Sequence, residues 1–132
     1  MNLIKKLNLI RNENKIEKEA NLKLGYKSFT INKLHAELNP LLVKYGIGLT
    51  MTVVDSTVTP IPAGNDKYGN PKNNYLVHGT ANYELINQDD TDERIQASIP
   101  FTGMNSQGDP SKSVGNAASY AYKYLWVTLL GL

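Results

Sequence analysis

The run from Ser111 to Leu130 constrains the fold of this chain more than any other stretch, because its pattern fits one long helix with two different faces. At about 100° per residue, small and apolar side chains fall on one side and form a stripe suited to close packing on a sheet. This packing stripe consists of Val114, Ala117, Ala118, Ala121, Leu125 and Leu129. The opposite strip is polar, with Lys112, Asn116, Ser119 and Lys123, and is bordered by Tyr122 and Trp126 on one side and by Tyr120 and Tyr124 on the other.

The middle of the chain supplies strands on which such a helix can pack. Runs rich in β-branched and aromatic residues predict three strands, over 49–59, 75–86 and 94–102. Residues 60–74 are dense in Gly, Pro and Asn and predict a long loop, and residues 87–92 predict a polar hairpin turn. Pro100 indicates that the third strand lies at a sheet edge or ends there.

Two helices precede the strands. Residues 2–20 combine apolar residues at helical spacing with charges of alternating sign, which predicts a helix with a solvated face. A second helix is expected between Thr30 as N-cap and Gly46 as C-cap, with Pro40 kinking it or dividing it into two short pieces. The order α-α-β-β-β-α predicts an α+β domain in which helices pack on a three-stranded antiparallel sheet.

Length and composition limit the class of protein. A chain of 132 residues fits a single domain over 1–132, and the absence of cysteine excludes disulfides, thiolate catalysis and Cys-ligated metals. No run approaches the roughly 18 apolar residues of a membrane span, and charges interrupt the N-terminus before a signal-peptide core can form. We therefore expect a soluble protein of the cytoplasm, which is the host-cell cytoplasm if a phage encodes it.

A search for catalytic or metal-binding patterns finds none that holds. The acidic run 89–93 lacks the glycine and the spaced glutamate of a calcium loop and reads as a solvated turn. His35 and His78 lie on different elements without zinc-site spacing, and Asp109 stands where a phosphate-binding loop needs lysine. We expect no metal, no cofactor and no enzyme activity. The start of the last helix, at 111–113, remains a place where backbone N–H groups and a lysine can meet a phosphate.

The tyrosines give a more specific signal. Tyr68 and Tyr75 accompany Lys67 and Lys72 around the 60–74 segment, and three tyrosines accompany Lys123 on the last helix. Rings interleaved with cations suit single-stranded nucleic acid, because bases stack on the rings while cations follow the backbone. Tyrosines also commonly fill the edges of a core, so this alternative stays open for each ring. The net charge of +2 permits nucleic-acid binding without arguing for it.

Two segments carry a resemblance to a known family. Residues 26–47 contain the run PLLVKYG, and residues 115–131 read GNAASYAYKYLWVTLLG, close to a helix motif of the form G-x-A-x-[ST]-Y-A-x-[RK]-Y-x-L. In these segments and in element order the chain resembles the Erf (essential recombination function) family of phage single-strand annealing proteins. Members often have two adjacent arginines where this chain has Tyr122 and Lys123. They also often continue beyond the last helix with a C-terminal tail, which we do not expect in the single domain over 1–132.

The resemblance implies an ATP-independent protein that binds single-stranded DNA, forms a homo-oligomeric ring or filament and anneals complementary strands in recombination. A single-strand-binding protein is a further candidate partner. The expected DNA contacts are Lys112, Lys123, Lys67, Lys72, Arg94, Tyr120 and Tyr122. The alternative is an oligomeric phage structural or interaction protein that uses the same core without binding nucleic acid.

Overall fold

The computed structural model of the chain describes residues 1–16, 19–21, 26–28, 30–105 and 108–132, with side chains in 1–16, 30–105 and 108–132. Its elements are α1 (Leu3–Glu13), β1 (Glu19–Asn21), β2 (Tyr26–Ser28), α2 (Ile31–Tyr45), β3 (Ile47–Asn65), β4 (Pro71–Asn87), β5 (Asp90–Asn105) and α3 (Pro110–Leu130). Three helices and an antiparallel sheet with the strand order β3-β4-β5 confirm the predicted α+β fold.

The first helix is shorter than the charge pattern predicts. Helix α1 ends at Glu13, because Asn14 leaves the helical conformation and its side-chain amide donates to the carbonyls of Ile10 and Arg11. The prediction of helix up to residue 20 was wrong, since β1 pairs antiparallel with β2 to form a separate two-stranded sheet. Alternating charges fit a short strand as well as a solvated helix face, so the pattern could not separate the two.

Helix α2 begins and ends as predicted. The Thr30 side chain accepts the N–H of Lys33, and Gly46 closes the helix in the left-handed region at φ 66°. Of the two outcomes expected at Pro40, a kink or a division, the division was wrong, because one helix runs through this residue without a break. Pro40 is exposed, while Leu38 before it and Leu42 after it are buried, so core packing on both sides offsets the lost backbone hydrogen bond.

The hairpin between β3 and β4 replaces most of the predicted loop over 60–74. Strand β3 extends to Asn65 and β4 begins at Pro71, which leaves a five-residue turn over 66–70. Pro60 and Pro62 did not end β3 because it is an edge strand, where an N–H that points away from the sheet needs no partner. Strand β5 is the other edge, as Pro100 indicated, and its turn with β4 contains only Gln88 and Asp89.

The chain divides into two compact units. Unit 1 contains residues 1–50, 84–96 and 125–132, and unit 2 contains residues 51–83 and 97–124. In unit 1 the core is formed mainly by α1, α2 and the end of α3, with these fully or almost fully buried side chains: Leu3, Leu7, Ile10, Leu34, Leu38, Leu85, Leu125, Trp126 and Leu130. The core of unit 2 contains Val77, Ala81, Tyr83, Ile99, Phe101, Ala117 and Ala121.

A buried lysine joins α1 to the β4–β5 turn within unit 1. Lys6 is 1% exposed, and its Nζ donates to Asn87 Oδ1 at 2.6 Å and to the Gly46 carbonyl at 3.2 Å. The same ammonium lies 3.0 Å from the Asp89 carboxylate, and Glu93 accepts the Leu3 N–H at 2.6 Å. The acidic run 89–93 is therefore more than the solvated turn that the sequence predicts, since two of its carboxylates hold the start of α1.

Acid is expected to destabilise the fold through four carboxylates. Their pKa values lie below the ordinary values of 3.8 for Asp and 4.5 for Glu, mainly because each carboxylate accepts a side-chain hydrogen bond in the folded state. The main donors are Tyr45 for Glu13, Gln96 for Glu84, Lys6 for Asp89 and Asn87 for Glu93. A depressed folded-state pKa adds stability above the unfolded pKa, and this stability is lost as the pH falls through the folded pKa. The midpoint of urea unfolding, followed by circular dichroism, should therefore fall steadily as the pH drops below 4.5.

A matched variant tests this assignment. Glu93→Gln keeps an acceptor for the Leu3 N–H but removes the titrating charge, so its unfolding midpoint should change less between pH 5 and pH 3 than that of the original chain. An equal acid response in the two proteins would contradict a contribution from Glu93.

Candidate nucleic-acid interface

Helix α3 packs on β5 of unit 2 with almost no side chain between the two backbones. A Cβ atom placed on Gly103 would lie 2.5 Å from both the Ser113 carbonyl oxygen and the Ala117 nitrogen. Ser113 is fully buried and its hydroxyl donates to the Tyr75 carbonyl at 2.7 Å, which fixes the same helix to β4. The small residues of α3 therefore allow its backbone to approach the backbone of β5 closely.

The packing stripe is partly the predicted one. Ala117, Ala121 and Leu125 are fully buried as expected, but Ser113 takes the place given to Val114, which is 42% exposed. The buried positions 113, 117, 121 and 125 are four residues apart, and each such step advances roughly 40° around the helix. The buried stripe thus winds around α3, whereas the sequence pattern predicted a stripe that runs straight along one side of the helix. Ala118 and Leu129, which were assigned to the stripe, are only half-buried.

The two aromatic residues assigned to one border of the polar strip differ in burial. Trp126 is fully buried in unit 1, so the prediction that it borders an exposed strip was wrong. Tyr122 is half-buried and close enough to Tyr83 to affect its ionisation. Burial first, and the Tyr122 phenol second, raise the pKa of Tyr83 to about 12. Tyr122 therefore lies at the margin of the core of unit 2.

The exposed aromatic surface of α3 is a pair of tyrosines with a lysine. Tyr120 and Tyr124 are 53% and 57% exposed, and their rings stack with centroids 6.5 Å apart and planes 28° apart. The Lys123 ammonium lies 5.8 Å from the centre of the Tyr120 ring. We call these three residues the tyrosine platform. The expected contact set omitted Tyr124, although its spacing of four from Tyr120 was a usable signal.

At the start of α3, where the sequence left a phosphate contact open, backbone N–H groups already have acceptors within the protein. The Asp109 carboxylate accepts the Ser111 N–H at 2.9 Å, and the Asp109 carbonyl accepts the Lys112 N–H at 3.1 Å. A phosphate at this helix end would lie next to the Asp109 carboxylate, which disfavours binding through the backbone N–H groups of residues 111–113. The Lys112 side chain itself is exposed and lies eleven positions from Lys123, roughly 16 Å along a helix axis.

A second basic and aromatic surface lies on the hairpin of β3 and β4. Residues 58–74, which we call the arm, contain no buried side chain. Lys67 and Lys72 are exposed there, with Lys67 in the turn and Lys72 on β4, where the sequence predicted a loop. The Tyr68 ring is 76% exposed, and the Lys67 ammonium lies 5.0 Å from its centre.

Backbone contacts place the start of α3 beside the arm. Gly108 approaches the Asn73 carbonyl so closely that an added Cβ atom would lie 3.4 Å from it, and Ser113 binds the Tyr75 carbonyl. Lys112 on α3 and Lys72 on β4 therefore belong to the same end of unit 2.

Arg94 does not join this group. It belongs to unit 1, where its guanidinium pairs with the Glu84 carboxylate at 2.5 Å and its Nε donates to the Thr91 carbonyl at 3.0 Å. Hydrogen bonds from Gln96 and then from Arg94 keep the pKa of Glu84 below its ordinary value. This cross-strand pair depends on the register of β4 and β5, which the sequence does not reveal.

The outer face of the sheet in unit 2 carries polar pairs. The His78 ring contacts the Thr102 hydroxyl at 3.0 Å, and the Ser98 hydroxyl donates to the Asn82 side chain at 2.8 Å. The exposed tyrosine rings among the described side chains lie instead on α3 and the arm, at Tyr68, Tyr120 and Tyr124. Over the same part of the chain, no three His, Asp or Glu side chains group closely enough to hold a metal ion.

A comparison with known proteins identifies the family to which the chain belongs. Residues 3–132 match the family model described as ERF superfamily, which confirms the resemblance seen in residues 26–47 and 115–131. None of the curated proteins and none of the solved structures matches the chain. In the part of the chain that is described, none of the helices is long and apolar enough to cross a lipid bilayer.

Proposed function

Since the chain belongs to the ERF superfamily, we propose that it is a recombination protein that binds single-stranded DNA and pairs complementary strands without ATP. The observation that carries this proposal is the family match over nearly the whole chain, which includes the α3 motif. The protein acts as a homo-oligomer, so that each copy contributes a few DNA contacts.

We assign the DNA-binding surface to unit 2, with the tyrosine platform and Lys112 on α3 and with Lys67 and Lys72 on the arm. The rings offer faces on which bases stack, and the lysines lie where phosphates of the same strand pass. Stacking and phosphate contacts leave the hydrogen-bonding edges of the bases free. A strand held in this way stays competent to pair with its complement, as annealing requires.

The charges of unit 2 fit this assignment. It contains four lysines and three aspartates, and two of these aspartates are engaged by the backbone. Asp66 accepts N–H groups in the arm turn, and Asp109 caps α3. All four lysines are on the proposed surface. An oligomer multiplies such a modest number of contacts, which is how a chain with a net charge of +2 can hold DNA.

We leave two members of the expected set outside the surface. The guanidinium of Arg94 is balanced by Glu84, and Tyr122 is half-buried at the margin of the core. Tyr124 takes the place of Tyr122 because it is exposed and stacks on Tyr120.

A salt titration with oligo-dT tests the proposal. The logarithm of the affinity should fall linearly with the logarithm of the salt concentration, with a slope of about −0.7 for each phosphate neutralised. In a second assay, the protein should accelerate pairing of complementary strands without nucleotide. Absence of oligo-dT binding at low salt would reject the proposal and favour an oligomeric structural protein that binds no nucleic acid.

A further inference from the structure

The arm holds an aromatic ring out in solvent on an ordered turn. Tyr68 is the most exposed tyrosine among the described side chains, at 76%. Asp66 organises the turn: its Oδ1 accepts the N–H groups of Tyr68 at 2.8 Å and of Asn70 at 2.9 Å, and its own N–H donates to the Asn70 carbonyl at 2.8 Å. Gly69 completes the turn at φ 81°. The ring therefore projects from a defined backbone.

The surroundings of the ring suit a flat, negatively charged ligand. The Lys67 ammonium lies 5.0 Å from the ring centre, and Lys72 is exposed on the adjacent strand. With three quarters of the residue accessible, much of the ring surface is available for stacking. A nucleobase supplies a flat π-face, and its flanking phosphates supply negative charge for the two lysines.

Prolines on the edge strand of the arm argue against a β-strand of another protein as the ligand. Pro60 and Pro62 are two positions apart on the edge strand β3, so both lack an N–H on the same side. An incoming β-strand needs these outward donors, and proline on an edge prevents strand addition. The arm is thus protected against pairing with another chain while its tip stays accessible.

We propose that Tyr68 stacks on an unpaired base of single-stranded DNA while Lys67 and Lys72 contact the flanking phosphates. This inference rests on the proposed function and adds a base contact separate from the tyrosine platform on α3. Stacking is independent of base identity, so the arm holds any sequence.

A comparison of oligo-dT with an abasic oligonucleotide of the same length isolates this contact, because the abasic strand keeps the phosphates and loses the bases. Tyr68→Ala should weaken oligo-dT binding roughly tenfold, as expected for loss of one base–aromatic stack, and leave abasic binding unchanged. Tyr68→Phe keeps the ring and should bind oligo-dT like the original chain. Val58→Ala removes another exposed side chain of the arm and serves as the matched control.

Each other outcome overturns the inference in a distinguishable way. If Tyr68→Ala binds oligo-dT normally, the stacking role is wrong while the proposed function stands. If Tyr68→Ala binds oligo-dT and the abasic oligonucleotide more weakly by the same factor, Tyr68 contributes to contacts with the DNA backbone or to the fold of the protein, and not to base stacking. If light scattering shows that Tyr68→Ala changes the oligomer, the ring contacts a second copy of the chain. If the original chain binds no oligo-dT at all, the proposed function fails together with this inference.

Discussion

Replacing Gly103 by alanine is expected to destabilise the protein by about 3 kcal/mol, the upper part of the range for overpacking a tight core. The new Cβ would lie 2.5 Å from backbone atoms of Ser113 and Ala117, and neither atom can rotate away as a flexible side chain would. Helix α3 must therefore move off β5 or the strand must bend. For a chain of this size the loss corresponds to a fall of roughly 10 °C in the melting temperature, measured by circular dichroism.

Gly115→Ala is the matched control for this prediction. It makes the same chemical change on α3, but a Cβ at Gly115 meets nothing within 4 Å. Because alanine is the better helix former, this variant should be more stable than the original chain by up to about 1 kcal/mol. Equal melting temperatures for the two variants would show that α3 does not pack directly on β5.

The double variant Lys112→Ala, Lys123→Ala is expected to bind oligo-dT roughly 25-fold more weakly in 0.1 M salt, because two phosphate contacts change the salt slope by about 1.4. The loss should be the same for all sequences, since phosphate contacts carry no sequence information. Affinity measured by anisotropy of a labelled oligonucleotide, repeated at several salt concentrations, gives both the affinity and the slope.

The double variant Lys5→Ala, Lys15→Ala removes the same charge from exposed positions of unit 1 and should leave the slope unchanged. If both double variants weaken binding equally, general charge explains the affinity and the α3 surface has no special role. If neither does, the DNA contacts lie on the arm alone, and Lys67→Ala with Lys72→Ala should then produce the whole loss.

Local patterns predicted the three helices and the three long strands, since each pattern is a property of neighbouring residues, but they missed the short strands β1 and β2. The period of the 111–130 run gave α3 within one residue of its start, and Thr30 and Gly46 gave both ends of α2. Strand limits were harder to predict. Proline and glycine normally mark loops, yet Pro60 and Pro62 lie within β3 because of its place at the sheet edge, which only the assembled sheet determines.

The candidate site was harder to predict than the fold, because it depends on which charges are balanced by distant residues. Arg94 looked like any other cation until the register of β4 and β5 placed Glu84 against it. Lys6 lay on the predicted solvated face of α1, and it is buried because Asn87, Gly46 and Asp89 surround its ammonium. The platform lysine and its tyrosines, by contrast, share one helix, so helical spacing alone brought them together.

The position of Trp126 gives the protein an internal optical probe. It is the single tryptophan of the chain and is fully buried in unit 1, whereas the proposed DNA surface is built from tyrosines in unit 2. Indole fluorescence therefore reports the packing of one core without a direct contribution from rings that meet a ligand. Unfolding of unit 1 can be followed in the presence of DNA from emission of the natural sequence, with no label added.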